Sequence, residues 1–188
     1  MNCEKKVPIY TVGYGTRNID DFVALLRRYN IKYLIDVRSK PYSSFKPEFS
    51  QKSIVNFLTM NNIKYIFMGD KLGGQPVDPS CFENGKVDYA KCQEKSYFKE
   101  GIVRLRKAWE KQSYVVLMCS EGKPQECHRS KLIGEVLVKE NIDVAHIDEC
   151  GEVKSQEVVI SLLHQGQQSF EGFISFSSRK KYGNTSAK

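Results

Sequence analysis

Short runs of β-forming apolar residues alternate with segments of helical spacing along most of this chain, and this alternation constrains the fold more than any other feature. The intervening segments are long enough for helical crossovers, which predicts a mainly parallel sheet with helices on both faces. The sequence therefore predicts an α/β fold, with a single compact domain over residues 1–164 and a sheet of about five strands. The predicted strands are 8–12, 33–37, 63–67, 114–118 and 142–146. Asn18 is predicted to cap the first helix, with Asp20 and Asp21 in its positive first turn. Residues 69–95 are interpreted as a long irregular segment, and one helix is predicted over about 127–140.

The remaining residues, 165–188, differ in composition and are interpreted as a C-terminal appendage. They are rich in Ser, Gly, Gln and Lys, and their aromatic cluster consists of Phe170, Phe173 and Phe176. We expect this tail to lie outside the core and to dock against the domain through these phenylalanines.

Charge and hydropathy narrow the class of partner. The formal net charge of +7 suits an anionic small molecule or a nucleic acid, although a solvated basic surface explains it equally well. No apolar stretch approaches the roughly 18 residues that span a bilayer, and the first residues lack the apolar centre of a signal peptide. We therefore expect a cytoplasmic protein without a membrane partner. The sequence specifies neither a cofactor nor an oligomeric state.

Four polar or glycine-rich segments follow predicted strands, and ligands bind at that edge of a parallel sheet. Asp36 and Arg38 are two apart on a strand, so their side chains point to the same side, where Arg38 either binds an anion or pairs with Asp36. The glycines suit a backbone that approaches a ligand closely, and they equally suit tight turns. The four segments contain Gly13, Asp36 with Arg38, Gly73 with Gly74, and the stretch from Cys119 to Arg129.

The last of these segments has the most distinctive chemistry. Cys119 ends the most continuously apolar strand, and Cys127-His128-Arg129 opens the next predicted helix. The start of a helix attracts anions and stabilises thiolates, and an arginine there suits phosphate. The segment therefore predicts a nucleophilic or redox thiol, with His128 or Asp36 as its proton partner. The alternative is that both cysteines are buried packing residues.

A metal site is a further interpretation of the same residues. Thiolate and imidazole together form a zinc ligand set, and both types of side chain lie near the ends of adjacent predicted strands. Their spacing matches no familiar zinc motif, and the histidines suit local hydrogen bonds as well, so the sequence assigns no metal ligand. The residues concerned are Cys119, Cys127, His128, His146 and Cys150.

Several of these motifs recur, in this order, in one known family. They are Thr11-Val-Gly13, Asp36-Val-Arg38, Leu72-Gly73-Gly74, Cys119-x7-Cys127-His128-Arg129 and His146-Ile147. With them, residues 8–163 resemble the family catalogued as domain of unknown function 488. The resemblance implies a compact α/β fold and a shared polar pocket, and it implies no activity. Some members have a histidine and a serine after the first glycine, where this chain has Tyr14 and Gly15, so no role of that histidine is transferred.

The leading hypothesis is a small enzyme that acts on a phosphate-bearing or otherwise anionic substrate. A non-catalytic module that binds nucleic acid or nucleotide is the first alternative, and a zinc-stabilised structural domain is the second. We also expect that Arg129 contributes little to stability when no ligand is bound. In the leading hypothesis Cys119, Cys127, His128 and Asp36 are catalytic, and Arg38, Arg129, Gly13, Gly73 and Gly74 bind the substrate.

Overall fold

The computed structural model describes residues 6–164 and 176–182. Its strands are β1 Ile9–Gly13, β2 Tyr33–Asp36, β3 Lys64–Phe67, β4 Phe82–Glu83, β5 Lys86–Val87, β6 Val115–Cys119, β7 Val144–Ile147 and β8 Val153–Ser155. Its α-helices are α1 Ile19–Arg28, α2 Gln51–Met60, α3 Gly69–Leu72, α4 Tyr89–Gln93, α5 Ser96–Glu110, α6 Glu135–Lys139 and α7 Gln156–His164.

Six of the strands form one sheet in the order β3-β2-β6-β1-β7-β8. The five strands predicted from the sequence pair in parallel, so the predicted α/β architecture is confirmed. The short strand β8 was not predicted, and it adds an antiparallel edge beside β7. Strand β6 lies near the middle of the sheet and is buried along its whole length, as its unbroken apolar sequence requires.

The sheet separates two apolar cores, one on each face. Strand β6 contributes to both because alternate side chains point to opposite faces. Leu117 and Cys119 belong to the core that also contains Phe98 and Leu105 of α5. Met118, between them, belongs to the core that also contains side chains of α1 and α2. The Cys119 side chain therefore lies on the α5 side of the sheet.

Helix α1 begins as its sequence predicts. The Asn18 side-chain oxygen accepts a hydrogen bond of 2.8 Å from the backbone N–H of Asp21, and Asp20 and Asp21 lie in the positive first turn. The helix buries a stripe of apolar side chains against the sheet, consisting of Ile19, Phe22, Val23, Leu25 and Leu26.

Two predictions about local structure were wrong. Residues 69–95 were interpreted as irregular, but they form α3, the β4–β5 hairpin and α4, which are too short to produce a clear periodicity. Residues 127–140 were predicted as one α-helix, but they begin with a π-helix, Arg129–Gly134, that leads into α6. Gln156 Nε2 donates a 3.1 Å hydrogen bond to the carbonyl of Ser130 in that π-helix, so a residue distant in sequence contacts the wider turn.

The described part of the C-terminal tail, residues 176–182, packs against the β4–β5 hairpin. The backbone N–H of Ser178 donates to the carbonyl of Val87 at 2.9 Å, and that of Tyr182 donates to Gly85 at 2.7 Å. Phe176 packs against the core on the α5 side, whereas Phe170 and Phe173 lie outside the described residues. None of the helices in residues 6–164 and 176–182 has the length and apolar character of a bilayer span.

Candidate functional site

The candidate site lies at the carboxyl ends of the central strands. Because β1, β6 and β2 are parallel neighbours, their last residues meet at one edge of the sheet. Gly13 is in register with Cys119, and Asp36 is in register with Met118. The predicted convergence of these three segments therefore follows from strand order and register alone.

Cys119, Cys127 and His128 form a buried cluster at this edge, which we call the thiol–imidazole cluster. His128 Nδ1 lies 3.8 Å from Cys119 Sγ and 3.6 Å from Cys127 Sγ. The other ring nitrogen, Nε2, lies 3.1 Å from the carbonyl oxygen of Val37. A carbonyl only accepts hydrogen bonds, so Nε2 carries the proton and Nδ1 directs its lone pair at the two sulfur atoms.

The two thiols of the cluster are electrostatically unequal. A hydrogen bond from Cys127 holds the pKa of Cys119 well below its usual range, and the positive charge of nearby Arg129 acts in the same direction against the effect of burial. Burial, together with the adjacent Cys119, raises the pKa of Cys127 well above its usual range. Negative charge in the metal-free cluster is therefore concentrated on Cys119, with Cys127 as its hydrogen-bond donor.

Arg38 reaches the same site from the end of β2. Its Nε donates to Asp36 Oδ1 at 2.9 Å and its Nη2 donates to Asp36 Oδ2 at 2.6 Å, while its guanidinium lies 5.5 Å from the ring centre of Tyr14. The residue is only 5% exposed. Its third nitrogen, Nη1, is buried without a hydrogen-bond partner among the described residues.

Asp36 positions Arg38. It is fully buried, and it also accepts a 2.8 Å hydrogen bond from the hydroxyl of Tyr65. It does not line the cavity in which the thiol–imidazole cluster lies. Its predicted role as a proton partner of a cysteine therefore has no support in this geometry.

A cavity of about 230 Å³ opens above the thiol–imidazole cluster and Arg38. Residues from six regions of the chain surround it: the ends of the central strands, the loop after β2, the segment after α3, the start of α4, the loop after β6, and the tail. Its further lining includes Tyr14, Lys40, Tyr42, Gly74, Tyr89, Glu121, Glu126, Arg179, Lys180 and Tyr182.

Comparison with known proteins identifies the family. The family model described as "Domain of unknown function DUF488" matches residues 18–136. The chain belongs to the DUF488 family. The curated proteins yield no significant match, and the solved structures yield none either.

The DUF488 match covers most of the candidate site. Arg38, Gly74 and the whole thiol–imidazole cluster lie within residues 18–136. Gly13, which ends β1, and the tail segment that lines the cavity lie outside the matched residues. The family description names no activity, so the chemistry of the site has to be inferred from its geometry.

Arg129 does not line this cavity, although the sequence predicts it as an anion ligand. It is fully buried, and its Nη2 donates a 2.8 Å hydrogen bond to the carbonyl of Gly122. A Cβ atom at Gly13 would lie 2.5 Å from its Nη1, so the guanidinium packs directly on that glycine. We therefore assign Arg129 to support of the loop that joins Cys119 to Cys127.

The three predicted substrate-binding glycines are positions of close packing. A Cβ at Gly74 would lie 2.7–2.8 Å from the His128 ring, and one at Gly73 would overlap Ser39. Gly74 also lines the cavity, whereas Gly13 and Gly73 do not. Gly74 therefore positions the imidazole of the cluster.

Tyr14 and the tail both line the cavity, although neither was predicted as part of the site. Tyr14 follows β1 as Arg38 follows β2, so the rule that located Arg38 could also have located Tyr14. The tail contributes Arg179, which pairs with Glu121 at 3.2 Å and with Glu126 at 2.5 Å. No local pattern in the tail indicates that contact, because it joins residues more than fifty positions apart.

The other two members of the predicted metal set lie apart from the cluster. His146 is fully buried in β7, where its Nδ1 accepts from the Thr11 hydroxyl at 2.7 Å and its Nε2 donates to Gln156 Oε1 at 2.6 Å. Cys150 is exposed. His146 is therefore a core histidine with both nitrogens in hydrogen bonds.

The burial of His146 predicts a pH dependence of stability. Desolvation lowers the pKa of this imidazole from 6.5 to about 4, with a smaller contribution from nearby Arg129. The folded state disfavours protonation of His146. The contribution of this residue to the free energy of unfolding is therefore fully present above pH 6.5 and is lost as the pH falls toward 4. We expect a loss of about 2 kcal/mol between pH 7 and pH 5, measured as the free energy of unfolding in urea.

His146→Gln is the matched control for this measurement, because glutamine hydrogen-bonds without titrating in this range. The loss of stability between pH 7 and pH 5 should be about 2 kcal/mol smaller in this variant than in the wild type. Equal pH dependence in the two proteins would contradict the assignment.

Proposed function

We propose that this protein is an enzyme that acts on an anionic, phosphate-bearing substrate in the cavity above the thiol–imidazole cluster. The observation that carries the proposal is the buried Nη1 of Arg38, which lacks a hydrogen-bond partner among the described residues. It lies on a residue that lines the same cavity as three chemically reactive side chains.

A bound anion would complete the hydrogen bonds of Arg38. A buried donor without a partner costs free energy that a phosphate oxygen would recover. Asp36 already occupies Nε and Nη2, so the guanidinium is held in place and Nη1 is its one nitrogen without a partner among the described residues. An arginine fixed in this way binds an anion with little further loss of conformational freedom.

The remaining charges of the cavity wall also favour an anion. Arg179 pairs with both Glu121 and Glu126, which offsets one of their two negative charges. Lys40 and Lys180 line the cavity as well, and neither forms a salt bridge within the part of the chain that the structure describes. Arg38, Lys40, Arg179 and Lys180 carry four positive charges against three negative charges on Asp36, Glu121 and Glu126, so the net charge is +1 before any charge on Cys119 is counted. This balance favours an anion beside Arg38 and the two lysines.

The thiol–imidazole cluster supplies the reactive groups. Without a metal ion, its sulfur atoms and the Nδ1 lone pair offer a nucleophile and a proton acceptor, which are the elements of covalent catalysis. The same electron pairs also form a set of soft metal ligands. A module that only binds its ligand needs no such buried cluster beneath the anion site.

A nucleic-acid or nucleotide binding module is the second candidate function. Tyr42 is 73% exposed and Phe45 is 98% exposed, on the loop that also contributes Lys40 to the cavity wall. Exposed aromatic rings beside basic side chains suit stacking on the bases of a single strand. Salt-dependent binding of an oligonucleotide that is lost in a Tyr42→Ala, Phe45→Ala double variant would favour this candidate.

The anion site predicts that inorganic phosphate raises the melting temperature, because a ligand that binds only the folded state stabilises it. Arg38→Lys should retain a charge for Asp36 but leave no third nitrogen for the ligand. We expect the variant to bind phosphate about tenfold more weakly, a loss of about 1.4 kcal/mol. Calorimetric titration and the phosphate-induced change in melting temperature measure this effect.

The matched control is Arg104→Lys, at an exposed position of α5, which should bind phosphate like the wild type. Comparison of the phosphate-induced change, rather than of the melting temperatures themselves, removes any intrinsic effect of the substitution on stability. The proposal fails if phosphate does not bind the wild type, or if Arg38→Lys binds it as tightly as Arg104→Lys does.

A further inference from the structure

The thiol–imidazole cluster has the dimensions of a metal site. The three donor atoms, Cys119 Sγ, Cys127 Sγ and His128 Nδ1, all lie within 4.8 Å of one another. Zinc binds sulfur at about 2.3 Å and imidazole nitrogen at about 2.0–2.1 Å in tetrahedral geometry, which separates a sulfur and a nitrogen ligand by roughly 3.6 Å. The observed sulfur–nitrogen distances are 3.8 Å and 3.6 Å, so little movement is needed to bind the ion.

The surroundings of His128 also match those of a metal ligand. A histidine that ligates a metal almost always donates its other N–H to a carbonyl or a carboxylate, which fixes the ring and its tautomer. Here Nε2 donates to the carbonyl of Val37 at 3.1 Å. Gly74 packs so closely on the ring that a Cβ would lie 2.7 Å from it. Both contacts hold Nδ1 toward the two sulfur atoms.

We propose that Cys119 Sγ, Cys127 Sγ and His128 Nδ1 bind one zinc ion, whose fourth position opens into the cavity. Thiolate and imidazole ligands select zinc over magnesium or calcium, which prefer oxygen. Binding replaces the thiol protons, and the dipositive ion balances two buried thiolates. Within the described residues, no further Cys, His, Asp or Glu contributes an atom to this set.

Three protein ligands with an open position distinguish catalytic zinc sites from structural ones, which have four protein ligands. The inference rests on the proposed function in one respect: the open position faces the cavity that is lined by Arg38. With zinc bound, the two cysteines act as ligands rather than as nucleophiles. The ion supplies Lewis-acid activation of water or of a substrate oxygen, while Arg38 holds the anionic group beside it.

Metal analysis of the full chain, purified without chelators, tests the site. We expect about one zinc per chain. Replacement of zinc by Co²⁺ should produce thiolate-to-cobalt charge-transfer bands and the intense visible bands of a tetrahedral site. Cys127→Ser and His128→Gln should each weaken zinc binding at least tenfold, whereas Cys150→Ser, which alters an exposed cysteine, should bind zinc like the wild type.

Two further measurements complete the test. A chelator that removes the zinc should expose two additional thiols of the six to a thiol reagent in the wild type. Azide should alter the visible spectrum of the cobalt protein, because the fourth position is open. An unaltered spectrum would overturn the open fourth position. Absence of zinc and of cobalt bands in the wild type would overturn the metal site, and this outcome does not depend on whether the variants fold.

These outcomes are independent of the test of the proposed function. If the protein binds zinc but phosphate does not stabilise it, the metal site is retained and the proposal of an anionic substrate fails. Phosphate binding that depends on Arg38 in a protein without metal affinity would retain the anion site and return the role of nucleophile to a thiol.

Discussion

Gly13→Ala is expected to destabilise the domain by about 3 kcal/mol or more, at the upper end for overpacking of an interior. The new Cβ would lie 2.5 Å from Arg129 Nη1 and 2.6 Å from the carbonyl carbon of Glu121, and closer still to its carbonyl oxygen. Arg129 is fully buried and the other contact is backbone, so neither moves without displacing the loop between Cys119 and Cys127. Unfolding in urea at pH 7 measures the loss.

Gly122→Ala is the matched control in the same loop. Its Cβ would lie 3.6 Å from Gly15 and 3.9 Å from Glu149, which are ordinary contacts. We expect its free energy of unfolding to stay within about 1 kcal/mol of the wild type. If Gly13→Ala proved as stable as Gly122→Ala, the close approach of Arg129 and Glu121 to β1 would be wrong.

Arg129→Ala is expected to cost about 3–5 kcal/mol, as truncation of a large buried side chain does. This reverses the expectation from the sequence that Arg129 contributes little to stability without a ligand. The substitution leaves a cavity beneath the loop, and it removes the donor that binds the Gly122 carbonyl at 2.8 Å. The free energy of unfolding in urea again measures the effect.

Arg129→Met separates the contribution of volume from that of the hydrogen bond. Methionine fills much of the space without a charge or a donor, so we expect an intermediate loss of stability. Arg104→Ala, at the surface of α5, serves as the control and should change stability by less than about 0.5 kcal/mol. A stable Arg129→Ala protein that no longer responds to phosphate would instead restore Arg129 as an anion ligand.

Much of the fold follows from local sequence because periodicity and capping act over a few residues. The five parallel strands and the capped start of α1 were predicted in this way. The π-helix at Arg129–Gly134 was not predicted, since its hydrogen-bond register depends on contacts with segments that are distant in the sequence. Gln156 supplies one such contact through the carbonyl of Ser130, and a continuous α-helix has almost the same apolar pattern.

The contribution of the tail to the cavity wall also could not be predicted from the sequence. Composition sets residues 165–188 apart from the domain, yet Arg179 and Tyr182 line the cavity. Arg179 reaches Glu126 across 53 positions of sequence. A pairing of this kind depends on chain geometry, which neither the charges nor the spacing of the tail specify.

The sequence alone determined at which edge of the sheet the candidate site residues meet, because parallel strands bring the residues after their carboxyl ends together. Asp36, Arg38 and Cys119 meet there for that reason. Tertiary packing decided what each side chain does. Arg38 lines the cavity, whereas Arg129 lies under a loop. His128 contacts two sulfur atoms, whereas His146 is enclosed by the core. The direction and the burial of a side chain depend on contacts between distant segments, and spacing along the chain does not encode these contacts.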